Sequence, residues 1–252
     1  MLLDGKNAVI YGAGGSIGGA VARALAREGA RVHLAGRTRE PLEAVAREIR
    51  SSAGTAAAAE TAVIDALDET AVDEHADAVA AAAGSLDVSV NLISHGDVQG
   101  TPLAEMSVAD FERPVVTAVR TMFLTARAAA RHMIRQRSGV ILMFGGYGDP
   151  IPRVGGLQVA FGALESLRRA LACELGPDGI RVVTLQTGGI PETLPEGFDG
   201  REAIIDGITG RTMLGRAATL ADVGNVAAFA ASDQARTITG TSINITCGSV
   251  AS

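Results

Sequence analysis

The feature that most constrains the fold of this 252-residue chain is a regular alternation between short apolar runs and longer segments of helical periodicity. The apolar runs are predicted to be strands, at 7–11, 31–35, 62–64, 88–93, 140–144, 181–185 and 242–245. The segments between them are predicted to be helices, at 16–28, 39–50, 69–83, 108–136, 156–175 and 220–232. Continuous apolar runs are typical of parallel strands that are covered on both faces. The sequence therefore predicts an α/β fold: a single doubly wound parallel sheet, Rossmann-like, with helices on both faces and one domain over 1–252.

Composition limits the classes of function. A net charge of −6 argues against a nucleic-acid-binding protein. No uncharged apolar run approaches the roughly 18 residues of a membrane-spanning helix, and the N-terminal residues show no signal-peptide pattern. Cys173 and Cys247 indicate neither a disulfide framework nor a zinc site, while His33 is predicted within a strand and His75 and His132 on helix surfaces. We therefore expect a cytoplasmic protein with a small-molecule substrate, no nucleic-acid or membrane partner and no metal.

A glycine-rich turn connects the first predicted strand to the first predicted helix. Glycines at this place let the backbone approach a pyrophosphate closely, and the helix N-terminus presents free N–H groups to the anion. The placement of the turn between a strand and a helix makes it a much stronger signal than its glycines alone. The predicted phosphate-binding residues are Gly12, Gly14, Gly15, Ser16, Ile17 and Gly18.

The residues that follow the second strand predict which dinucleotide is bound. Sites that prefer NAD often carry an acidic residue here for the ribose 2′-hydroxyl, but this chain has Gly36, Arg37, Thr38 and Arg39. Arg37 can pair with the 2′-phosphate of NADP, so the predicted cofactor is NADP. Asp65, after the third strand, can accept a hydrogen bond from the adenine amino group. A solvated arginine and a simple turn residue are the alternative interpretations of these two positions.

Several further segments carry a family resemblance. Asn91-Leu92-Ile93-Ser94 is similar to an Asn-Asn-Ala-Gly motif after a fourth strand, and residues 176–182 match the approach to a sixth strand. Residues 188–190 resemble a nicotinamide-side loop, and 12–18 matches Gly-x-x-x-Gly-x-Gly except at Ser16. Almost from end to end, the chain resembles the short-chain dehydrogenase/reductase family. The resemblance implies that Ser94, Gly188 and Ile190 also contact the cofactor. It also implies a homotetramer, through helices 108–136 and 156–175.

The catalytic positions depart from this family. The resemblance implies a Tyr-x-x-x-Lys pair, in which the tyrosine is the acid and the lysine lowers its pKa and holds the ribose. The chain has one lysine, Lys6, and no tyrosine followed by lysine at this spacing. Alignment places Leu157 and Phe161 at the pair. The family's serine falls at Gly145 or Gly146, and its helix asparagine falls at Ala118. We therefore expect the cofactor half to be retained and the acid to be atypical or absent.

Few other side chains near the expected nicotinamide can supply a proton. Tyr147 follows the fifth strand, and its alternative role is packing. His95 follows the fourth strand and titrates near neutral pH, although a structural role is the alternative. These two residues are the catalytic candidates, and Arg153 is a candidate for binding an anionic substrate. The Gly-, Pro- and acid-rich segment 191–216 interrupts the strand–helix rhythm and is predicted to be a substrate lid or an irregular loop.

Three functions remain open at this point. The first is an NADP-dependent oxidoreductase that reduces a carbonyl or enone of a small, apolar substrate. The second is a non-redox enzyme on the same fold, such as a cyclase or isomerase. The third is a catalytically silent nucleotide-binding partner. The apolar residues Leu157 and Phe161 favour an apolar ligand pocket.

Overall fold

A computed structural model describes residues 1–52, 59–145 and 151–249 of the chain. Its strands are β1 (Asn7–Tyr11), β2 (Arg31–Gly36), β3 (Ala59–Val63), β4 (Val88–Asn91), β5 (Gly139–Gly145), β6 (Ile180–Gln186) and β7 (Thr241–Asn244). Its α-helices are α1 (Ser16–Arg27), α2 (Arg39–Ser52), α3 (Glu69–Ala83), α4 (Val108–Gln136), α5 (Leu157–Leu175), α6 (Arg201–Thr209) and α7 (Leu220–Ala231). Strands and helices alternate from β1 to α5, as the sequence predicts.

The strands form one parallel sheet in the order β3-β2-β1-β4-β5-β6-β7. The chain builds outward from β1 to β3, then crosses to β4 and builds in the other direction. Ligands of such sheets bind at the carboxyl ends of the strands, where this order reverses. In this sheet the reversal lies between β1 and β4. The doubly wound, Rossmann-like fold predicted from the sequence is confirmed.

Two apolar cores cover the two faces of the sheet. One core contains side chains of α1, α2 and α7, and the other contains side chains of α3, α4 and α5. Strand β1 shows why the central strands are continuously apolar. Ala8 and Ile10 lie in the first core, whereas Val9 and Tyr11 lie in the second. Because successive side chains point to opposite faces, both sets must be apolar.

The edge strands differ from the prediction. The third strand is predicted at 62–64, but β3 spans Ala59–Val63, with only Ala59 fully buried. The other edge strand, β7, has exposed or half-buried side chains throughout. An edge strand has a neighbour on one side only, so its sequence does not need a continuous apolar run. The fourth strand also ends earlier than predicted, at Asn91, and Leu92 and Ile93 belong to the loop that follows.

A helix that the sequence analysis did not predict lies in the segment 191–216. Helix α6 has no buried residue, and its apolar residues Ile204, Ile205 and Ile208 lie in a short stretch of a Gly-, Pro- and acid-rich segment. The prediction for His132 is also wrong. Its side chain is buried between α3 and α4 and its Nε2 lies 2.7 Å from an Asp77 carboxylate oxygen. Within the described ranges, no helix combines the length and apolar character needed to cross a membrane.

Candidate functional site

A cleft of about 530 Å³ lies at the carboxyl ends of β1, β2 and β4. Its walls come from the turn before α1, the loops after β2, β3 and β4, and one face of α4. The cleft therefore occupies the point where the strand order reverses. Of the predicted site residues, it brings together Gly12, Gly14, Gly15, Arg37, Asp65, Ser94 and His95.

The glycine turn is packed so closely that side chains cannot replace its glycines without movement. Gly12 has φ +80°, and a Cβ atom there would lie 2.5 Å from the Leu92 carbonyl oxygen. A Cβ atom at Gly14 would lie 2.9 Å from Cβ of Pro41, and one at Gly18 would clash with the Gly12 carbonyl oxygen. The turn thus presents bare backbone to the cleft, as a pyrophosphate site requires.

Helix α1 adds an open N-terminus to this turn. Gly15 is its N-cap and makes no side-chain capping bond, and the first turn contains no acidic residue. Ser16 and Ile17 are the first two helical residues, so their N–H groups are among those without intrahelical acceptors. The free backbone N–H groups and the partial positive charge of the helix N-terminus therefore lie together beside the glycine turn. These residues fit a bound phosphate.

The loops after β2 and β3 form the polar side of the cleft. Arg37 is exposed and makes no hydrogen bond or ion pair within the described ranges. Asp65 folds back on its own loop, where its Oδ1 accepts a hydrogen bond of 3.0 Å from the Leu67 N–H. Among the described lining residues Asp65 is the one carboxylate. A cation that lacks a partner at the end of β2 is available to an anionic group of a ligand.

The loop after β4 is held by a buried amide. Asn91 donates from Nδ2 to Oγ1 of Thr125 at 3.1 Å and to Oγ1 of Thr121 at 3.4 Å. Its Oδ1 accepts a 3.2 Å hydrogen bond from the Ile93 N–H. Ser94 and His95 follow directly and both line the cleft. Asn91 is therefore a positioning residue for this wall.

His95 lies between the cleft and α5. Its ring packs edge-to-face on Phe161, with the ring centroids 5.9 Å apart. Burial lowers the pKa of His95, and the Asp97 carboxylate opposes that shift only in part. The neutral form of the imidazole is therefore favoured more strongly than in an exposed histidine.

Comparisons with known proteins agree with this geometry. A family model described as enoyl-(acyl carrier protein) reductase matches residues 12–249. The chain belongs to the short-chain dehydrogenase/reductase family. It is 31% identical to meso-2,3-butanediol dehydrogenase of Serratia marcescens, over 100% of this chain and 97% of that protein. It is 29% identical to gluconate 5-dehydrogenase of Gluconobacter oxydans, over 91% of this chain and 89% of that protein.

A solved structure is similar throughout. The crystal structure of a putative short-chain alcohol dehydrogenase from Sinorhizobium meliloti aligns with a TM-score of 0.88 and 29% identity, covering 99% of this chain and 98% of that one. Short-chain dehydrogenases/reductases are oxidoreductases that use NAD or NADP. The chain therefore belongs to a family whose members need a nicotinamide cofactor.

The start of α5 is apolar where a short-chain dehydrogenase/reductase is expected to carry its acid. Leu157 begins α5, and Phe161 lies one turn later on the same side of the helix. The Phe161 ring contacts His95 and lies close to Gly145 at the end of β5. Ala118 is 1% exposed and belongs to the core between α4 and the sheet. Tyr147 and Gly146 lie outside the described residues.

Five predicted cofactor contacts do not line the cleft as far as the chain is described: Ser16, Ile17 and Gly18 in α1, and Gly188 and Ile190 after β6. Gly188 follows β6 and lies against Ser249, where an added Cβ atom would clash with the serine hydroxyl. That hydroxyl is buried and makes no hydrogen bond within the described ranges. Ile190 is 4% exposed and packs in the core of the α1 side. Arg153, with φ +65°, is exposed, and its carbonyl accepts a 2.8 Å hydrogen bond from the Gly100 N–H.

One wall of the cleft, formed by α4, contains no residue that the sequence predicts for the site. Arg113, Thr117 and Thr121 of α4 all line it. Their spacing of four residues places them on one face of the helix. The sequence contains this spacing, but it lies within a long segment whose many apolar residues predict only a helix that faces the core.

Proposed function

We propose that this protein is an NADP-dependent oxidoreductase that reduces a carbonyl or enone of a small, apolar substrate, with an atypical side-chain acid or none. The observation that carries the proposal is the joint presence of a bare glycine turn and an unpaired Arg37 in one cleft. Residues 36–38 offer no carboxylate to a ribose 2′-hydroxyl. NADP is therefore favoured over NAD.

Some residues of the cleft would hold the phosphates of the cofactor, and others would hold its adenine and nicotinamide rings. The turn from Gly12 to Gly18 and the N-terminus of α1 take the pyrophosphate, and Arg37 takes the 2′-phosphate. Asp65 accepts from the adenine amino group, while Ser94, Gly188 and Ile190 provide backbone contacts towards the nicotinamide. When bound, NADPH supplies a hydride. The proton that completes the reduction must come from a side chain of this chain, from water or from the substrate.

The proton donor is the unusual part of the proposal. Lys6 is the only lysine of the chain and lies just before β1, at the opposite end of the strand from the cleft. Tyr147 is the first candidate, because it directly follows β5 and a phenol can stabilise a nascent oxyanion. His95 is the second, because it lines the cleft beside Phe161. Because its pKa is lowered, a smaller fraction of His95 is protonated at neutral pH than of an ordinary histidine, which makes it the less effective acid.

Apolar side chains support the proposed class of substrate. Leu157 and Phe161 are only half-buried at the start of α5. The segment 191–216, which we propose as a lid, exposes large apolar residues. These are Phe198, Ile204, Met213 and Leu214. A lid with an apolar surface fits an apolar substrate better than a sugar acid or a polyol.

We further propose that the protein is a homotetramer. Helices α4 and α5 leave apolar side chains exposed, among them Val116 and Phe123 on α4 and Val159 on α5. Burial of such a surface between copies of the chain stabilises a two-fold interface. Light scattering at micromolar concentration should therefore give the mass of four chains, and the mass of one chain would contradict the assembly.

A second candidate function has one observation in its favour. Phe161 packs on His95 where the family alignment places a lysine. An apolar contact there suits a protein that binds the nucleotide without transferring hydride, either as a non-redox enzyme or as a silent partner.

Deuterium transfer separates these functions. Binding of NADPH is first measured by fluorescence, and NADPH carrying deuterium at the transferred position is then incubated with panels of apolar ketones and enones. Deuterium in a reduced product supports the oxidoreductase. Product formation without deuterium or NADPH consumption supports the non-redox enzyme, and tight binding without any product supports the silent partner.

A further inference from the structure

Helix α4 contributes a polar stripe to the cleft that neither the glycine turn nor Arg37 explains. Arg113 stands at its outer end, followed by Thr117 and Thr121 one and two turns deeper. The hydroxyl of Thr121 already accepts a hydrogen bond from Nδ2 of Asn91. Arg113 is exposed and reaches the cleft as a second cation.

Arg113 is held in a defined place. Its Nη2 donates a 2.8 Å hydrogen bond to Oδ1 of Asp110. Asp110 in turn accepts a 2.8 Å hydrogen bond at Oδ2 from the hydroxyl of Ser107, the N-cap of α4. The tether occupies one edge of the guanidinium, and its other donors have no hydrogen-bond partner among the residues that the structure describes. An arginine fixed in this way loses less freedom on binding a ligand.

Gly96 makes room for this arginine. Its φ of +69° is a conformation that favours glycine, and a Cβ atom there would lie 3.3 Å from Cδ of Arg113. The aliphatic stem of Arg113 therefore runs over bare backbone at the rim of the cleft. An added Cβ at 96 would require the stem of Arg113 to shift by a few tenths of an ångström.

The two cations of the cleft approach it from opposite faces of the sheet. Arg37 precedes α2, which packs in the core that also contains α1 and α7. Arg113 belongs to α4, which packs in the other core. The loop after β3 also lines the cleft, with the apolar residues Ile64, Ala66 and Leu67. A flat base resting on such apolar side chains leaves its other face open to a planar cation.

We propose that Arg113 binds the adenine ring of the cofactor by stacking its guanidinium on the base, independently of the 2′-phosphate. This inference rests on the nucleotide binding proposed above. Arg37 and Arg113 then have separate tasks. Arg37 selects the phosphate and Arg113 holds the base.

Two fragments of the cofactor test this division by isothermal titration calorimetry. The probes are 5′-AMP, which has the base without a 2′-phosphate, and 2′,5′-ADP, which has both. Arg113→Gln should weaken both ligands by about tenfold and by the same factor. Arg37→Ala should weaken 2′,5′-ADP alone. Arg120→Gln, an exposed arginine of α4 that does not line the cleft, is the matched control and should change neither.

The tether supplies a second variant. Asp110→Asn removes the charge that holds Arg113 and should weaken both probes by a smaller, again equal, factor. Because stacking is less sensitive to salt than a surface ion pair, the tenfold effect of Arg113→Gln should persist at raised salt. Thermal unfolding of each variant shows whether it is folded.

The outcomes separate this inference from the proposed function. Loss of 2′,5′-ADP binding alone in Arg113→Gln would overturn stacking and show a second phosphate contact. Unchanged binding of both probes would overturn any role for Arg113 and leave the proposed function intact. If the unaltered protein binds neither probe, both the inference and the proposed NADP site fail.

Discussion

The glycine turn at Gly12–Gly18 and the surroundings of His95 differ in what determines their chemistry. At the turn, the groups proposed to bind the ligand are backbone N–H groups and the end of α1, and the lack of side chains leaves this backbone open. Around His95, only side chains can supply a proton, and Phe161 and Leu157 have none to give. Anion binding by backbone is therefore retained when many side chains change, whereas acid catalysis can be lost by one or two substitutions. Predictions about each region test this contrast.

The largest effect is expected from a side chain in the glycine turn. Gly18→Ala places a Cβ atom against the Gly12 carbonyl oxygen, so the turn or the start of α1 must shift. We expect NADPH binding to weaken by more than about a hundredfold, and the free energy of unfolding to fall by about 1–3 kcal/mol, the range for overpacking. Fluorescence titration and thermal unfolding measure the two effects.

Gly207→Ala is the matched control for this substitution. Gly207 lies in α6, and a Cβ atom there meets no atom within 4 Å. Binding of NADPH should be unchanged. If Gly18→Ala binds NADPH as tightly as Gly207→Ala, the turn is not a phosphate site.

Removal of the phenol tests the other region. Tyr147→Phe should lower kcat by about tenfold or more, because a positioned acid contributes about 10²–10⁴-fold. The affinity for NADPH should change little, since the residue follows β5 and not the turn. Steady-state kinetics with a substrate from the deuterium experiment measures both quantities.

His95 offers the competing acid. Since burial lowers its pKa, an acid role would make the rate fall as pH rises through a value below about 6.5, its ordinary pKa. His95→Asn would abolish that dependence. If both variants keep the parental rate, neither side chain is the acid, and water or the substrate supplies the proton.

A smaller effect is expected at the edge of the cofactor region. Arg37→Ala should weaken NADPH by about 1–3 kcal/mol, as for the loss of a charge-assisted hydrogen bond, and leave NADH nearly unchanged. Arg39→Ala is the control, because Arg39 begins α2 and does not line the cleft. Equal affinities of the unaltered protein for NADPH and NADH would contradict the proposed preference.

The sequence predicts those parts of the molecule that depend on local pattern. Val9 and Tyr11 face one core and Ala8 and Ile10 the other, so β1 reads as a continuous apolar run. Placement of the glycine turn follows from that strand and the helix after it. The central strands and the fold class were predictable for the same reason.

The missed features depend on contacts between distant segments. The edge-to-face contact of His95 with Phe161 joins the loop after β4 to α5, and nothing near either residue in sequence indicates it. The stem of Arg113 packs at the rim of the cleft against Gly96, which lies in a different segment of the chain. Helix α6 has no buried residue, and its few apolar positions lie in a segment whose glycines and prolines favour a loop.

A half-buried histidine, His75, is expected to respond to acid pH through stability, in contrast to His95. His75 of α3 packs edge-to-face on Tyr11, a residue that lines the cleft, with the ring centroids 6.1 Å apart. Burial is the main cause that lowers the pKa of His75 to about 4, and the nearby His33 contributes. Its Nδ1 is buried and has no hydrogen-bond partner within the described ranges. Protonation would therefore leave a charge without compensation next to the sheet.

The sign of the effect on stability follows from linkage. The unfolded chain binds a proton at His75 below pH 6.5, whereas the folded chain resists it until about pH 4. The free energy of unfolding should therefore fall as pH drops below about 6.5, with a loss of about 1 kcal/mol from this residue by pH 5.5. Urea unfolding at pH 7.5 and 5.5 measures the loss, and His75→Phe, which keeps a ring against Tyr11, should reduce it. His95→Asn should instead alter the pH dependence of the rate. If His75→Phe leaves the loss of stability unchanged, other groups, His33 first among them, carry the acid sensitivity of the cofactor region.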